Sequence, residues 1–329
     1  WWRRSDRLIY GVALDDMGRV VPVEEPRVDQ EDTAVASRPI MILGGTSALG
    51  QAFQRLCTSR GLPFHAPARH ELDCSDPASV DALLDRLRPW AVVNATGLLG
   101  PDLVEPEDAP GSHPDPQGLA LLAAACARRG IALLTFSSDL VFDSQRREPY
   151  VESDQVAPLS AEGHSQVEAE ARVRAVLPHA LVVRVGVCFD PWDEQDALTG
   201  ALDSLALGLS VVVEDDAVRS PTYVPDLVHA CLDLLIDGEH GIWHLAHPEA
   251  LTWSELLRQV AAVAGIDASG IVVGSQAEGD PVGRPPAYRV LGSERGVLLP
   301  PLEHAVRQYV DQRWLELLPA EPNHAGSIA

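Results

Sequence analysis

The chain has 329 residues, 46% of them hydrophobic, with 25 basic side chains against 48 acidic ones and a formal net charge of −23. That length allows one large or two modest domains with a real core. The charge argues against nucleic acid or an anionic membrane surface as a partner, because each needs a basic face, but a phosphate-bearing small ligand needs only a local site.

Residues 1–38 read as an N-terminal extension or linker, since 21–38 are rich in Pro, Glu and Asp without a helical period. At Pro39 the pattern changes. Ile40-Met41-Ile42-Leu43 is a short apolar run read as a buried strand, and it ends in the Gly-rich stretch Gly44–Gly50. Leu49, Phe53, Leu56 and Cys57 then fall on one face of a helix that Gly61 closes. Leu62–His65 reads as a second strand. Asp76-Pro77 is an N-cap and N1 pair for a helix that turns Val80, Leu83, Leu84 and Leu87 inward. Trp90–Asn94 is a third strand, Leu119–Arg129 a helix ended by Gly130, and Ile131–Phe136 and Ala180–Val187 further strands. Beyond about residue 190 the alternation loosens. Thr252–Glu255 is a capping box for a helix with Leu256, Val260 and Val263 on its buried side.

This alternation predicts an α/β fold: a Rossmann-type doubly wound parallel sheet at 39–190 and a smaller C-terminal α+β substrate-binding region at 191–318. Some segments of the second region are expected to return to the main sheet, and 319–329 reads as a tail.

A Gly-rich turn between strand and helix brings backbone N–H groups and a helix N-terminus onto a diphosphate. The candidates there are Gly44, Thr46, Ser47, Ala48 and Leu49. Gly44 permits the tight turn, and Gly50 lets the helix pack closely on the strand. Ser47 holds the middle position of a G-x-x-G-x-x-G pattern, where its side chain either crowds a pyrophosphate or bonds to it. Past the second strand stands Arg69, rather than the acid that would hold a ribose 2′-hydroxyl. Arg69 leans the reading toward NADP(H), with NAD the alternative and an ordinary surface salt bridge the bland explanation. Asp73 lies close behind it as a further candidate.

Several segments resemble the dTDP-4-dehydrorhamnose reductase family of extended short-chain dehydrogenases. Val92-Val93-Asn94-Ala95-Thr96-Gly97 resembles its strand that ends beside the cofactor. Phe136-Ser137-Ser138-Asp139-Leu140-Val141-Phe142-Asp143 is similar to its S-T-D-Y-V-F-D segment. Pro149–Asp154 with Pro158-Leu159, Ser220–Leu227 and Gly241–Ala246 follow in the family's order. The resemblance implies NADPH binding, with Ala95, Thr96 and Gly97 beside the cofactor, and a sugar nucleotide in the cleft. It also implies a catalytic Ser followed by Tyr-x-x-x-Lys. By position the Ser is Ser138, but the Tyr and Lys positions hold Glu162 and Gln166, while Gly163 and Ser165 keep the register.

Reducing a ketone needs a hydride on carbon and a proton on the developing alkoxide. A Tyr hydroxyl gives the proton, and a nearby Lys lowers its pKa. An anionic Glu162 repels the developing charge, and Gln166 offers no charge. All 25 basic residues are Arg, so no Lys of this chain can substitute. Two escapes stay open: a buried, protonated Glu162 acting as acid, or Tyr150 standing in. Other departures from the family are Asp196-Ala197 in place of its Asn-Phe pair, Arg219 in place of a Gly, and a Pro-rich acidic stretch between Gly97 and Gln117.

Other constellations are weaker. His240, His244 and His247 are poorly placed on a strand to hold a metal, and no metal is expected. Ser138, Asp139 and His164 lack the elbow of a hydrolytic triad. Five scattered cysteines without a C-x-x-C pair suit a reducing compartment. No run approaches 18 apolar residues, and the opening Trp1-Trp2-Arg3-Arg4 lacks the apolar stretch of a signal peptide; a cytoplasmic location is expected. The first residue is not Met, and the opening Trp-Trp-Arg-Arg resembles the join in fusions where a β-glucosidase-like domain precedes such a reductase-like domain.

Two functions therefore stand. One is a nucleotide-binding reductase-like module with impaired or absent activity, serving as a binding, regulatory or scaffold element; the regulatory subunit of methionine adenosyltransferase resembles the same reductases. The other is a working NADPH-dependent reductase of a dTDP-4-keto-6-deoxy sugar. Partners expected are a sugar nucleotide or another small molecule, a preceding glycosidase-like domain or protein partner, and a second copy in a homodimer.

Overall fold

The computed structural model describes residues 13–14, 20–21, 38–68, 70–96, 115–213, 215, 217–274 and 287–317. The chain divides into two compact units, Trp1–Arg38 and Pro39–Ala329. In the first, Ala13–Leu14 pairs antiparallel with Val20–Val21. Most of the extension and the 319–329 tail lie outside the described residues.

The second unit is built on six parallel strands: β1 Ile40–Leu43, β2 Phe64–His65, β3 Ala91–Asn94, β4 Ala132–Ser138, β5 Leu181–Val185 and, from the C-terminal half, β10 Gly241–His244. Their spatial order is β10-β5-β4-β3-β1-β2. From β1 the chain moves outward to β2 and then returns to the other side through β3. The crevice between β1 and β3 is therefore the topological switch point, where open α/β sheets bind ligands at their carboxyl ends.

Strand periodicity divides the apolar side chains between two layers. Ile40 and Ile42 face α1 (Ala48–Ser59) and α6 (Val224–Ile236), meeting Leu49, Phe53, Leu227 and Cys231. Met41 and Leu43 face the opposite layer, with Val80, Leu83, Leu84, Leu122, Ala169 and Val173. That layer is α2 Pro77–Leu87, α3 Pro116–Arg129 and α4 Ala161–Val176. Asp76 and Asp115 cap α2 and α3 ahead of Pro at N1, as their sequences dictate.

Two expectations are corrected. The strand expected over Ala180–Val187 breaks at Gly186. A side chain there would lie 1.9 Å from the Ser220 carbonyl oxygen, so the chain leaves the main sheet at that point. It continues as β6 Val187–Phe189, paired parallel with β9 Pro221–Tyr223. Val263 is 45% exposed rather than buried. It sits in the last turn of α7 (Trp253–Ala264), just before the left-handed Gly265 cap, while Leu256, Leu257, Val260 and Ala261 carry the buried face. The Thr252–Glu255 capping box is present.

Around α7 a separate core gathers α5 (Ala197–Ala206) and α8 (Leu302–Leu317) with Phe189, Tyr223 and Tyr309. Two short parallel pairs flank it: β7 Val211–Val213 with β11 Ile271–Val273, and β8 Ala217–Arg219 with β12 Ala287–Arg289. Among the described residues no helix is long and apolar enough to cross a membrane.

Candidate functional site

The switch-point crevice is walled by two strand ends. Gly44 has φ +72, and a Cβ there would meet the Ala95 carbonyl oxygen at 2.8 Å, so only glycine fits where β1 and β3 release the chain. A Cβ on Gly50 would lie 2.1 Å from the Gly44 oxygen. That contact lets α1 start directly against the turn.

Ser47 is the N-cap of α1. Its Oγ accepts from Gly50 N at 3.0 Å and lies 2.8 Å from Gly44 O and 3.0 Å from Ala95 O. The hydroxyl therefore turns into the frame and locks β1 to β3. It neither crowds the crevice nor points outward as a donor. Gly50 N is held by Ser47 Oγ and Gln51 N by Ser47 O. Of the N–H groups a helix start leaves without intrahelical partners, those of Ala48 and Leu49 are at the open end. The cradle fits a diphosphate.

Gly44, Thr46, Ser47, Ala48, Leu49, Ala95 and Thr96 are thus brought together. Leu49 enters only through its backbone, since its side chain is fully buried in the core. Thr96 Oγ1 donates to Asn94 Oδ1 at 2.7 Å. Asp73 closes the loop before α2. Its carboxylate accepts from the Ser75 hydroxyl at 2.6 Å and the Ser75 amide at 2.9 Å, which hold it below the usual carboxylate range. Arg69, Gly97 and the acidic stretch 97–114 lie outside the described residues.

The second part of the site forms where α4 meets β4. Ser160 caps α4 by accepting from Gly163 N at 3.0 Å. A Cβ on Gly163 would lie 2.3 Å from the Leu140 carbonyl oxygen, so glycine lets the helix start press against the turn that follows β4. That approach brings buried Gln166 to Ser138. Ser138 Oγ accepts from Leu140 N at 3.2 Å and donates to Gln166 Oε1 at 2.6 Å, and Gln166 Nε2 donates to Glu162 Oε1 at 3.3 Å. The three predicted catalytic positions are therefore one hydrogen-bonded chain of hydroxyl, amide and carboxyl.

Tyr150 does not join it. Its ring stacks on Phe142 at 4.2 Å, and its hydroxyl donates to Asp143 Oδ1 at 2.6 Å while accepting from Arg146 N at 3.2 Å. Burial and the Asp143 carboxylate push its pKa up, against service as an acid. The hydrolytic arrangement is also not assembled: exposed His164 donates back to Ser160 O at 2.7 Å, and Asp139 faces Arg219 at 3.5 Å. His244 and His247 are buried on the carbonyls of Gly292 and Pro300, at 2.8 and 2.7 Å, while His240 is exposed against His179. Among the described residues no three metal-binding side chains converge.

Behind the chain lies a buried ion pair that sequence reasoning missed. Arg184 on β5 grips Glu170 with two hydrogen bonds of 2.8 and 2.6 Å, and its guanidinium lies 5.2 Å from the Phe142 ring centre. Glu162, Gln166 and Glu170 recur at i, i+4 and i+8 on α4, so one helix stripe carries both features. That spacing is the signal the sequence offered.

A second missed contact joins α1 to the loop after β6. Arg55 lies 3.4 Å from Asp190 and 4.3 Å from the Trp192 ring centre. Burial pushes Asp190 up to about 6 and its neighbour Asp196, the N-cap of α5, up to about 7.

The family model described as "RmlD substrate binding domain" matches residues 38–311. A dTDP-4-keto-6-deoxy-D-glucose reductase of Streptomyces niveus is 29% identical over 269 residues, covering 80% of this chain and 92% of the relative. Methionine adenosyltransferase 2 subunit beta of Danio rerio is 26% identical over 259 residues, covering 74% and 79%. The crystal structure of a dTDP-4-dehydrorhamnose reductase from Bacillus anthracis in complex with NADP superposes with a TM-score of 0.73 at 20% identity, covering 85% of this chain and 99% of that one.

Proposed function

The chain belongs to the RmlD substrate-binding-domain family, and from that premise we propose that it is a reductase-fold nucleotide-binding protein that holds NADP(H) but has lost most or all of its reductase chemistry. Residues 39–190 hold the dinucleotide in this reading, and 191–318 shape the pocket for a sugar nucleotide. The fitted turn supports the first part: the amides of Ala48 and Leu49 and the backbone of Gly44–Ser47 would receive the diphosphate. Ala95 and Thr96 line the facing strand end. NADP(H) is the first candidate and NAD the alternative, since solved neighbours of this fold include a reductase in complex with NADP and enzymes in complex with NAD.

The single observation that carries the second part is the Ser138–Gln166–Glu162 chain. A bound nicotinamide supplies a hydride. The protein must supply a proton and stabilise the alkoxide. Gln166 is neutral and engaged at both ends of its amide, and Glu162 takes the place of a phenol. Losing a general acid lowers the rate by roughly 10²–10⁴. What remains is binding, which suits a regulatory or scaffold role such as that of a methionine adenosyltransferase subunit. The test is NADPH oxidation by the purified chain with a dTDP-4-keto-6-deoxy sugar. The proposal expects cofactor binding with turnover near background.

One observation favours the alternative of an active reductase: Ser138 keeps its hydroxyl, and the chain to Glu162 is continuous. On that reading a protonated Glu162 gives its proton directly to the alkoxide and regains one from solvent, while the Ser138 hydroxyl, held by Gln166, orients the substrate oxygen. Robust turnover that disappears in Glu162→Gln would establish this alternative.

A further inference from the structure

His247 and Asp226 set two bare acceptor atoms opposite each other in the interior. His247 is fully buried and is held from two sides. Its backbone N–H donates to Pro221 O at 2.9 Å, and its ring Nδ1 lies 2.7 Å from Pro300 O. A carbonyl oxygen only accepts, so Nδ1 carries the proton and the neutral ring presents Nε2 as a lone pair. That atom lies 3.9 Å from Asp226 Oδ2, too far for a hydrogen bond. Both atoms are shielded from solvent, and neither has a hydrogen-bond partner. Asp226 stands in the first turn of α6, directly after the strand whose Pro221 carbonyl holds His247. Two enclosed acceptors with no donor between them are costly to leave unsatisfied.

We infer that His247 Nε2 and Asp226 Oδ2 are the two fixed ligands of a divalent transition-metal site, with zinc as its representative. A cation satisfies both lone pairs at once. One imidazole nitrogen with one carboxylate oxygen suits zinc and its neighbours better than magnesium or calcium, which take oxygen alone. The bond from Nδ1–H to a backbone carbonyl is the support that metal-binding histidines ordinarily have, and it fixes tautomer and ring orientation together. Ligands of one tetrahedral zinc lie about 3.4 Å apart, so roughly 0.5 Å of side-chain movement closes the pair on the metal. No three such side chains converge among the described residues, and the further positions belong to water and to His304. That exposed histidine stands in the first turn of α8, and its charge acts on Asp226. Glu249 acts electrostatically on His247, but its Oε2 already accepts from Leu302 N at 3.1 Å. A metal here joins α6 to the loop after β10 and, through Pro300, to the entry of α8. It is a staple for the C-terminal core and lies apart from the Ser138–Gln166–Glu162 chain.

The test is titration of the chelator-treated full chain with ZnCl₂ by calorimetry and with CoCl₂ by visible absorption. Wild type is compared with Asp226→Asn, His247→Gln and His240→Ala, the last removing an exposed histidine that packs on His179 instead. The site predicts one metal per chain. Affinity should fall at least about tenfold in Asp226→Asn and His247→Gln, since even a supporting partner of a ligand costs that much. His240→Ala should bind as wild type does, and excess MgCl₂ should displace neither metal. The visible bands of bound cobalt should vanish in Asp226→Asn. Should His247→Gln fail to fold because its place is fully enclosed, Asp226→Asn alone decides. Wild type that binds neither metal would overturn the site and leave the pair bridged by a proton or a water. Metal bound equally by wild type and Asp226→Asn would also overturn it and assign the metal to surface histidines.

Discussion

The hydroxyl of Ser138 donates to the amide oxygen of Gln166 at 2.6 Å. The side chain that should face a substrate carbonyl is therefore tied to a neutral group, and that group is tied in turn to Glu162. In the proposed reading the frame of a reductase site is kept, while Glu162 and Gln166 stand where the family resemblance places the proton donor and its charge partner. Restoring them together is the direct consequence to test. Glu162→Tyr with Gln166→Lys should raise NADPH oxidation with a dTDP-4-keto-6-deoxy sugar by at least about 10²-fold over wild type, and neither single change should do so. Steady-state loss of NADPH absorbance measures it. A double variant no faster than wild type would count against these two positions as the missing machinery.

The cofactor turn makes a comparison of two glycines informative. A Cβ at Gly50 meets the Gly44 carbonyl oxygen at 2.1 Å, while one at Gly200 in α5 has nothing within 4 Å. Gly50→Ala should destabilise the fold by roughly 1–3 kcal/mol through overpacking and weaken NADPH binding by at least tenfold on the order of one such contact. Gly200→Ala should be neutral or stabilising by about 0.5–1 kcal/mol. Chemical denaturation and NADPH titration read both effects. Equal behaviour of the two variants would contradict the tight turn.

Two buried acids set a pH dependence. Burial raises Asp190 to about 6 and Asp196 to about 7, from an ordinary value of 3.8. The folded chain thus holds protons that the unfolded chain has released, and their contribution to stability falls as pH rises from about 4 to 7. Asp196→Asn keeps an N-cap of equal quality and removes one titration. Its stabilising effect should grow as pH rises from about 4, reaching roughly 2–3 kcal/mol more at about pH 8 than at about pH 5. Thermal unfolding of both proteins across that range checks the sign. An unchanged slope would show that Asp196 is not the titrating group.

The pair behind the site is fully enclosed: the Arg184 and Glu170 side chains are 2% and 7% exposed. Glu170→Gln leaves a buried guanidinium without its charge partner and should cost about 3–5 kcal/mol. Because the pair fixes α4 against β5, NADPH affinity should fall less than stability does. Denaturant midpoints together with NADPH titration separate the two. A loss under about 1 kcal/mol would mean the guanidinium finds other compensation.

Much of this was legible in the sequence because local patterns carried it. The apolar run Ile40–Leu43, the Asp76-Pro77 cap and the Thr252–Glu255 box each act within a few residues, and each stands as read. The register Ser138, Glu162, Gln166 came from the family resemblance, with Gly163 and Ser165 in their expected places; Gly163 is the glycine that meets Leu140 where the helix approaches the strand. Long-range contacts left no such trace. Gly186 looked like one more strand residue until Ser220 packed against it. The inward turn of the Ser47 hydroxyl depends on Ala95, which is 48 residues away. The register of Arg219 with Arg289 and the contact of Arg55 with Asp190 join segments that no periodicity relates.

The most direct measurement of the central claim follows the fluorescence of NADPH bound to the purified chain, before and after a dTDP-4-keto-6-deoxy sugar is added. A filled but inert cleft predicts that a bound-NADPH signal appears on titration and then persists over many minutes with the sugar present. The account is contradicted if no bound signal forms, or if it forms and decays within seconds of adding the sugar.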